Sequence, residues 1–426
     1  VTDLLNVDQA LERVLAQFSA LPGEETDILA SLGRVLAQDI QADADIPPFA
    51  NSSMDGFAVI DADIADATKD HPVSLKLVMD IPAGSAPTHP LRPGEAARIM
   101  TGAPLPEGAN AVVPVEDTDN QWTPGKDDSL PPAVTVYRSV EAGGYVRLPG
   151  EDMRAGQTVL PAGTLIRPPE IGVLASLGKA RVSIVRQPRV AIVSTGDELV
   201  GIDEPLEPGK IRDSNSYGLA ALVTSYGGIP IRIPVARDTL EDVRRRFREA
   251  LDAKPDIILS SAGVSVGAFD VVRTVIDELG KVNFWKINLR PGKPLAFGQV
   301  GGVPFFGLPG NPVSAMVTFD VFVRPALLRL GRRPDPAQVI SAAVAEAIRS
   351  DGRRSYLRVK LTRENGQFVA RTTGTQSSGA LLSMVLADGL LIVPEDRTHV
   401  AAGEHLPVRV LRDEVLSVTE VSDDKH

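Results

Sequence analysis

The sequence predicts a multidomain α/β protein built around a three-layer, doubly wound α/β domain with mostly-β regions on either side. Three observations carry this. At 426 residues the chain exceeds one ordinary core and fits two to four domains of roughly 100–200 residues each. Between Arg189 and Leu330 short apolar runs alternate with helical patterns, as successive strand–helix units require. From Ile46 to Gly143, and again after Arg332-Arg333-Pro334, short apolar runs are broken by Pro and Gly clusters, the texture of β structure.

The elements follow in order. Leu11, Val14, Leu15 and Phe18 recur at helical spacing behind Asn6-x-x-Gln9, which predicts a capped amphipathic helix. A second helix is expected over Thr26 to Gln38, after Pro22-Gly23. Strands are expected at Gly56–Ile60, Val73–Val78, Val112–Val115 and Val134–Tyr137. Pro168-Pro169 starts a helix that runs through Ile171–Leu177, followed by a strand at Ala180–Val185. The Gly172–Lys179 stretch resembles a phosphate loop, but its glycines are one residue too far apart and Ala180 stands where Ser or Thr is needed. The central domain then reads as strand Val190–Val193, helix Ser216–Tyr226, strand Ile229–Val235, helix Thr239–Leu251, strand Asp256–Leu259 and helix Asp270–Leu279. Strands Val282–Trp285 and Val303–Phe306 and a long helix from Pro312 complete it. Alternation of Tyr356, Arg358 and Lys360 with Leu357, Val359 and Leu361, then Leu390–Val393 and Leu406–Leu411, predicts a small β-barrel or sandwich.

Composition narrows the chemistry. A formal charge of −11 and 4% aromatic residues argue against a nucleic-acid partner, which needs basic surfaces and stacking platforms. With no cysteine and five histidines, none at His-x-x-x-His spacing, thiolate and helical zinc sites are excluded. Any metal is then expected to be Mg2+ on carboxylates. No apolar run approaches a membrane span, and Val1–Phe18 does not read as a secretory signal. The cytoplasm is the expected compartment.

Ser260 to Ser314 carries the strongest functional pattern. Two Gly-rich loops, Ser-Ala-Gly-Val-Ser-Val-Gly and Gly-Leu-Pro-Gly-Asn-Pro-Val-Ser, each follow an apolar run and precede a helix, an arrangement that presents backbone N–H groups to phosphates. Between them lie Lys286, Arg290 and Lys293. Open α/β sheets bind ligands beyond the carboxyl ends of their strands. Those ends here carry Ser194-Thr-Gly-Asp-Glu198, Arg237-Asp238, the Ser260 loop with Asp270, and the Gly307 loop. Glu198, Asp238 and Asp270 suit Mg2+, and the three cations suit diphosphate oxygens. Each motif also has an ordinary reading. Asp238 with Glu241 forms a capping pattern, Asp270 suits a helix start, and Asn311-Pro312 is a standard cap with Pro at N1. The Arg244–Arg246 run lies among Glu241, Asp242 and Glu249, as on a solvated helix face. Asp55 in Asn51–Ala58, Thr101 in Arg98–Pro104 and the Arg147–Asp152 cluster are each compatible with turn chemistry.

Taken in order, however, these segments resemble one family. They are Asn-Ser-Ser-Met-Asp-Gly-Phe-Ala, Arg-Ile-Met-Thr-Gly-Ala-Pro, Gly-Glu-Asp, Ser-Thr-Gly-Asp-Glu-Leu, Ser-Val-Gly-Ala-Phe-Asp, Phe-Trp-Lys, Arg-Pro-Gly-Lys-Pro and Gly-Leu-Pro-Gly-Asn-Pro-Val-Ser. The order is similar to that of the molybdopterin molybdenumtransferases (MoeA), whose fold recurs in the gephyrin E domain. The resemblance spans nearly the whole chain, with the C-terminal tail matched by layout alone. It implies a discontinuous elongated linker domain (1–45 and 144–178), an inserted mostly-β domain (46–143), a MoaB/MogA-like α/β domain (179–332) and a C-terminal β-barrel (333–426).

The resemblance also implies a homodimer whose active site is shared between subunits. The implied reaction is Mg2+-dependent conversion of molybdate and adenylylated molybdopterin to molybdenum cofactor, AMP and water, with molybdopterin adenylyltransferase as a donor partner. Matching motifs carry over Asp55, Glu198, Asp238, Asp270 and Lys286 as catalytic, with Glu198, Asp238 and Asp270 at the metal. Thr101, Arg147, Asp152, Ser265, Gly267, Arg290, Lys293, Pro309, Gly310, Asn311, Pro312 and Ser314 carry over as substrate-binding. Three positions depart: Arg290 where relatives often have Lys, which replaces a point donor with a planar fork, Ala262 for a common Gly, and Leu148 where some relatives carry Arg. Two rival functions are a non-catalytic molybdopterin-binding scaffold or carrier, and an unrelated Mg2+-dependent nucleotide hydrolase; the latter leaves the Met-Asp-Gly and Arg-Ile-Met-Thr-Gly segments unexplained.

Overall fold

Helix α1 (Val7–Leu15) opens the described chain, capped by Asn6, whose side chain accepts hydrogen bonds from the N–H groups of Asp8 (2.9 Å) and Gln9 (3.3 Å). The computed structural model describes residues 4–120, 129–261 and 269–417. It divides into two compact units. One holds Val1–Glu25, Gly33–Ala37 and Ser183–His426, and the other holds Thr26–Leu32 and Gln38–Val182.

The smaller unit centres on a five-stranded sheet. Its strands are β1 (Gly56–Val59), β2 (Val73–Ile81), β3 (Glu95–Ile99), β4 (Ala111–Pro114) and β5 (Ala133–Val136), in the order β4-β1-β3-β2-β5. Both faces are covered: Phe57, Leu75 and Val113 pack in one apolar cluster, and Ala58, Met79, Ile99 and Val112 in another. Burial on both sides fits the unbroken apolar runs of β1 and β4, whereas β2 alternates, with Ser74, Lys76 and Asp80 exposed between buried apolar residues. Helix α2 (Pro168–Ser176) occupies the stretch that mimics a phosphate loop.

One expected element is absent. Thr26 to Gln38 forms no α-helix; the chain makes a short strand, Gly23–Asp27, and a single 3-10 turn, Leu29–Ser31. The Asp27 carboxylate accepts the Leu29 N–H at 2.9 Å, a local bond that competes with helix formation. Leu29 and Leu32, which the helical reading would bury, are 73% and 56% exposed.

In the larger unit, β6 (Arg189–Ser194), β7 (Ile229–Arg232), β8 (Ile257–Ser261), β9 (Gly280–Lys286), β10 (Pro294–Val300) and β11 (Val303–Leu308) form one sheet. Its order is β7-β6-β8-β11-β10-β9. The first four positions pair in parallel, while β10 and β9 are antiparallel additions. β10 escaped prediction because its Pro294 and Gly298 read as loop residues. Helices α1, α3 (Ser214–Ser225), α6 (Pro312–Thr318) and α7 (Arg324–Leu330) supply the core on one face. Helices α4 (Leu240–Asp252) and α5 (Phe269–Leu279) supply it on the other. This is the expected three-layer arrangement. The long helix expected from Pro312 is α6, a π-helical turn at Phe319–Val323, and α7.

The C-terminal strands are β12 (Val339–Val344), β13 (Arg354–Glu364), β14 (Gln367–Thr372), β15 (Gly389–Val393) and β16 (His405–Val410). They run β13-β14-β12-β16-β15, and a further β13–β15 pairing closes a five-stranded barrel. Leu289-Arg290 adds in parallel to the start of β13. Tyr356 and Leu390 of the barrel join the core cluster of the α/β sheet.

A buried ionic network joins the two layers. Arg324, 1% exposed, donates from Nε to the Asp320 carbonyl at 3.1 Å and lies 3.0 Å from the Asp320 carboxylate. It also pairs with Asp335, while Arg409 on β16 pairs with the second Asp320 oxygen. Truncating one member of a buried network strands the others without partners. We predict that Arg324→Met lowers stability by roughly 3–5 kcal/mol, read from the urea unfolding midpoint. An unchanged midpoint contradicts the network's role.

Candidate active site

The carboxyl ends of β6, β8 and β11 open into a cleft of about 1140 Å³, which is also lined by Asp238 and by Arg353, Leu357, Arg358 and Gln376–Gly379 of the barrel region. Its position follows the rule for open α/β sheets. The strand ends supply Thr195, Gly196 and Glu198 after β6, Ser261 at the end of β8, and Pro309 to Pro312 and Ser314 after β11. Arg290 to Pro294 and then Arg353, Arg358 and Gln376–Gly379 form further wall.

Two glycines permit close approach. Gly196 has φ +151°, which favours glycine, and a Cβ there would stand 2.5 Å from the Glu198 carboxylate, so the missing side chain leaves room for Glu198 to fold back over it. Gly292 has φ +114°, and its Cβ would meet Thr318 Oγ1 at 2.4 Å. The Arg290–Lys293 turn therefore lies tight against α6.

Charges are segregated within the cleft. At the strand ends, Asp197 and Asp238 clasp one another: the Asp238 N–H donates to Asp197 Oδ1 at 3.1 Å and the Asp197 N–H to Asp238 Oδ2 at 3.4 Å. Burial, reinforced by the charges of Asp197 and Glu198, raises the Asp238 pKa above its ordinary value against the opposing effect of the Asp197 N–H. Among the described residues Asp238 Oδ1 and Thr195 Oγ1 are buried without hydrogen-bond partners, an unfavourable state for polar atoms.

Elsewhere the wall is cationic. Arg358 on β13 is 0% exposed. It donates from Nε to Ser383 Oγ and from Nη2 to the Ser377 carbonyl, both at 3.1 Å. Among the described residues no carboxylate pairs with it. Burial and then the neighbouring Arg290 charge hold its pKa below the usual arginine value. Arg290 lies 3.6 Å from Asp351, which Arg353 grips at 2.5 Å.

Of the residues expected from sequence, the cleft gathers Glu198, Asp238, Arg290, Lys293, Pro309, Gly310, Asn311, Pro312 and Ser314. Lys286 is exposed at the end of β9, paired in register with Pro294, and is not part of the cleft lining. Asp270 stands in the first turn of α5 with its side chain outside the described residues; Ser265 and Gly267 also lie outside them. Among the described residues no three His, Cys, Asp or Glu side chains are grouped to hold one ion.

Asp55, Thr101, Arg147 and Asp152 belong to the other unit. There the Asp55 carboxylate accepts both the N–H and the hydroxyl of Thr101 at 2.7 Å. Arg147 is exposed and pairs with Asn51 in a short ladder, and Asp152 is exposed with its N–H on the Ile46 carbonyl.

Sequence reasoning missed Asn215, Arg353, Arg358, Gln376 and Ser378. Arg358 was visible as part of an alternating strand pattern, but nothing in that pattern marks an arginine as buried. Asn215 lay in a helix start whose cap, Asp213, went unrecognised: its carboxylate accepts the Ser216 N–H at 3.0 Å.

The Asp55–Thr101 pair gives a pH prediction. The Thr101 N–H first, then its hydroxyl, lower the Asp55 pKa against a smaller desolvation effect. A depressed carboxyl pKa adds stability that is fully present above the unfolded value of 3.8 and is lost as pH falls through the folded value. Thr101→Val should raise the Asp55 pKa part of the way back, since only the hydroxyl is lost. Carboxyl 13C titration reads this, and an unmoved pKa contradicts it.

Comparison with known proteins agrees with this architecture. Residues 5–178 match the MoeA N-terminal region (domain I and II), 191–329 a probable molybdopterin binding domain, and 341–411 the MoeA C-terminal region (domain IV). Molybdopterin molybdenumtransferase 2 of Mycobacterium tuberculosis is 41% identical over 385 residues, 88% of this chain and 92% of its own. The molybdopterin molybdenumtransferase of Bacillus subtilis is 33% identical over 96% of this chain and 94% of its own. The crystal structure of a molybdopterin biosynthesis MoeA protein from Pyrococcus horikoshii superposes with a TM-score of 0.82 at 33% identity, covering 96% of this chain and all of that one. The chain belongs to the MoeA family of molybdopterin molybdenumtransferases.

Proposed function

We propose that this chain is a transferase of molybdenum cofactor biosynthesis that takes adenylylated molybdopterin and molybdate to molybdenum cofactor and AMP. The observation that carries this reading is the polarity of one cleft. Arg290, Lys293, Arg353 and a buried Arg358, which has no carboxylate partner among the described residues, share it with Glu198 and Asp238. A substrate with a diphosphate and a second oxyanion needs both kinds of wall.

The cations hold the phosphate and molybdate oxygens and fix their separation, which converts an encounter of two anions into a positioned pair. Arg358 suits this role because its guanidinium is already desolvated and oriented by Ser383 and Ser377, so little reorganisation accompanies binding. The loop Pro309–Pro312 packs beside them with a Pro at N1 of α6.

Mg2+ fits the opposite end. Hard oxygen donors suit it, one or two carboxylates with substrate phosphates are its usual protein site, and Asp238 Oδ1 is an orphaned oxygen there. Glu198 and Asp238, with Asp270 as the third member, would hold the ion, which when bound neutralises charge on the diphosphate.

Four-domain organisation with the boundaries given above, a homodimer in which a partner's Asp55, Thr101, Arg147 and Asp152 complete the site, Lys286 as a catalytic cation, and donation of substrate by molybdopterin adenylyltransferase belong to the same proposal. Ser265 and Gly267, which lie outside the described residues, are proposed as substrate-binding with them. Cytoplasmic localisation is also proposed; no helix among the described residues is long and apolar enough to cross a membrane.

The test is incubation of the purified protein with adenylylated molybdopterin, Mg2+ and molybdate, following AMP release and reconstitution of a cofactor-free molybdenum enzyme. Molybdate-dependent AMP release with active reconstituted enzyme is expected. Asp270→Asn should abolish turnover with the unfolding midpoint unchanged. Pterin binding without either product would make the protein a carrier, and an active Asp270→Asn variant would remove Asp270 from the metal site.

A further inference from the structure

Asn215, in the first turn of α3, ties together two strand ends of the cleft. Its Nδ2 donates to Ser261 Oγ at 2.8 Å and to the Gly310 carbonyl at 2.7 Å. A carbonyl can only accept, so the Gly310 contact fixes which end of the amide is nitrogen. Both amide hydrogens are then committed. Oδ1 must face away from them, accepts no hydrogen bond from the described residues, and is not among the buried polar atoms left without a partner. Asn215 itself lines the cleft. The result is a neutral acceptor locked in orientation in a cleft whose charged groups include the cations Arg290, Lys293, Arg353 and Arg358.

Molybdate and the phosphate groups of the substrate accept hydrogen bonds and gain nothing from such an oxygen. A heterocycle with ring N–H or exocyclic amino groups can use it. We propose that Asn215 is a specificity-determining residue that presents its amide oxygen to an N–H donor on a heterocyclic end of the substrate, an inference that rests on the transferase reading of this cleft. The donor can come from the pterin or from the adenine, and both offer the same chemistry. Because the rotor is already fixed by Ser261 and Gly310, recognition costs little side-chain entropy. A ligand without a donor leaves the oxygen facing a poor partner.

The test compares Asn215→Ala with the unmodified chain in binding titrations against molybdopterin, AMP and inorganic pyrophosphate, with the folded state checked by the unfolding midpoint. Loss of one hydrogen bond should weaken a donor-bearing ligand by roughly threefold to tenfold and leave pyrophosphate within about twofold. A selective loss for molybdopterin assigns the donor to the pterin, and one for AMP assigns it to the adenine; either supports the proposal. An equal loss for all three probes would make Asn215 a brace for the two loops, and no loss for any would remove it from recognition; either overturns the proposal.

Ser261→Ala separates the roles further. It removes one Nδ2 partner but leaves Gly310 to orient the amide, so discrimination between heterocycle and pyrophosphate should survive. If Ser261→Ala abolishes discrimination as Asn215→Ala does, the bracing role wins. A chain that binds molybdopterin selectively through Asn215 but shows no molybdate-dependent AMP release would keep this inference and sink the transferase reading.

Discussion

The buried Asp320 carboxylate is the constraint on which the cleft depends. It sits in the π-helical turn between α6 and α7 and holds two guanidiniums, Arg324 from its own helix and Arg409 from the barrel. The same helical run begins at Pro312, on the cleft wall, and the same barrel carries Arg358. One ionic junction thereby relates the Pro309–Pro312 loop to Arg358 in the same cleft. Closer to the opening, Asn311 Nδ2 donates to Ser378 Oγ at 3.0 Å and the Val313 N–H to the Ser378 carbonyl at 3.1 Å. Buried ion pairs add little net stability against well-packed apolar groups, so geometric definition of the cleft is the contribution that matters for function.

Electrostatics then explains how a chain of net charge −11 would bind the proposed polyanionic substrate. The acidic surplus is spread over the molecule, whereas the cleft concentrates Arg290, Lys293, Arg353 and Arg358. Such focusing in a low-dielectric recess outweighs the diffuse field. Asp351 tempers the charge by pairing with Arg353 and Arg290, while among the described residues no carboxylate pairs with Lys293 or Arg358. At the strand ends Asp197, Glu198 and Asp238 gather negative charge, which the proposed Mg2+ would offset.

Much of this was legible in the sequence. The α/β core was readable because its strand runs are continuously apolar and its helices carry regular apolar spacing, as in α4 with Val243, Phe247 and Ala250 buried. The loop residues after β11 were readable because Gly-Leu-Pro-Gly-Asn-Pro is both a turn and a helix start. Thr26–Gln38 misled because its spacing of apolar residues is helical while Asp27 offers a competing local bond. Arg358 and Asn215 stayed hidden for another reason. Each functions through long-range neighbours, Ser377 and Ser383 for one, Ser261 and Gly310 for the other, and no local pattern encodes such partners.

Crystals of the protein grown with molybdate and Mg2+, measured at the molybdenum absorption edge, test the central claim most directly. The account predicts an anomalous molybdenum peak inside the cleft, on the wall formed by Arg290, Lys293, Arg353 and Arg358. A peak confined to another surface, or an empty cleft at saturating molybdate, would contradict it.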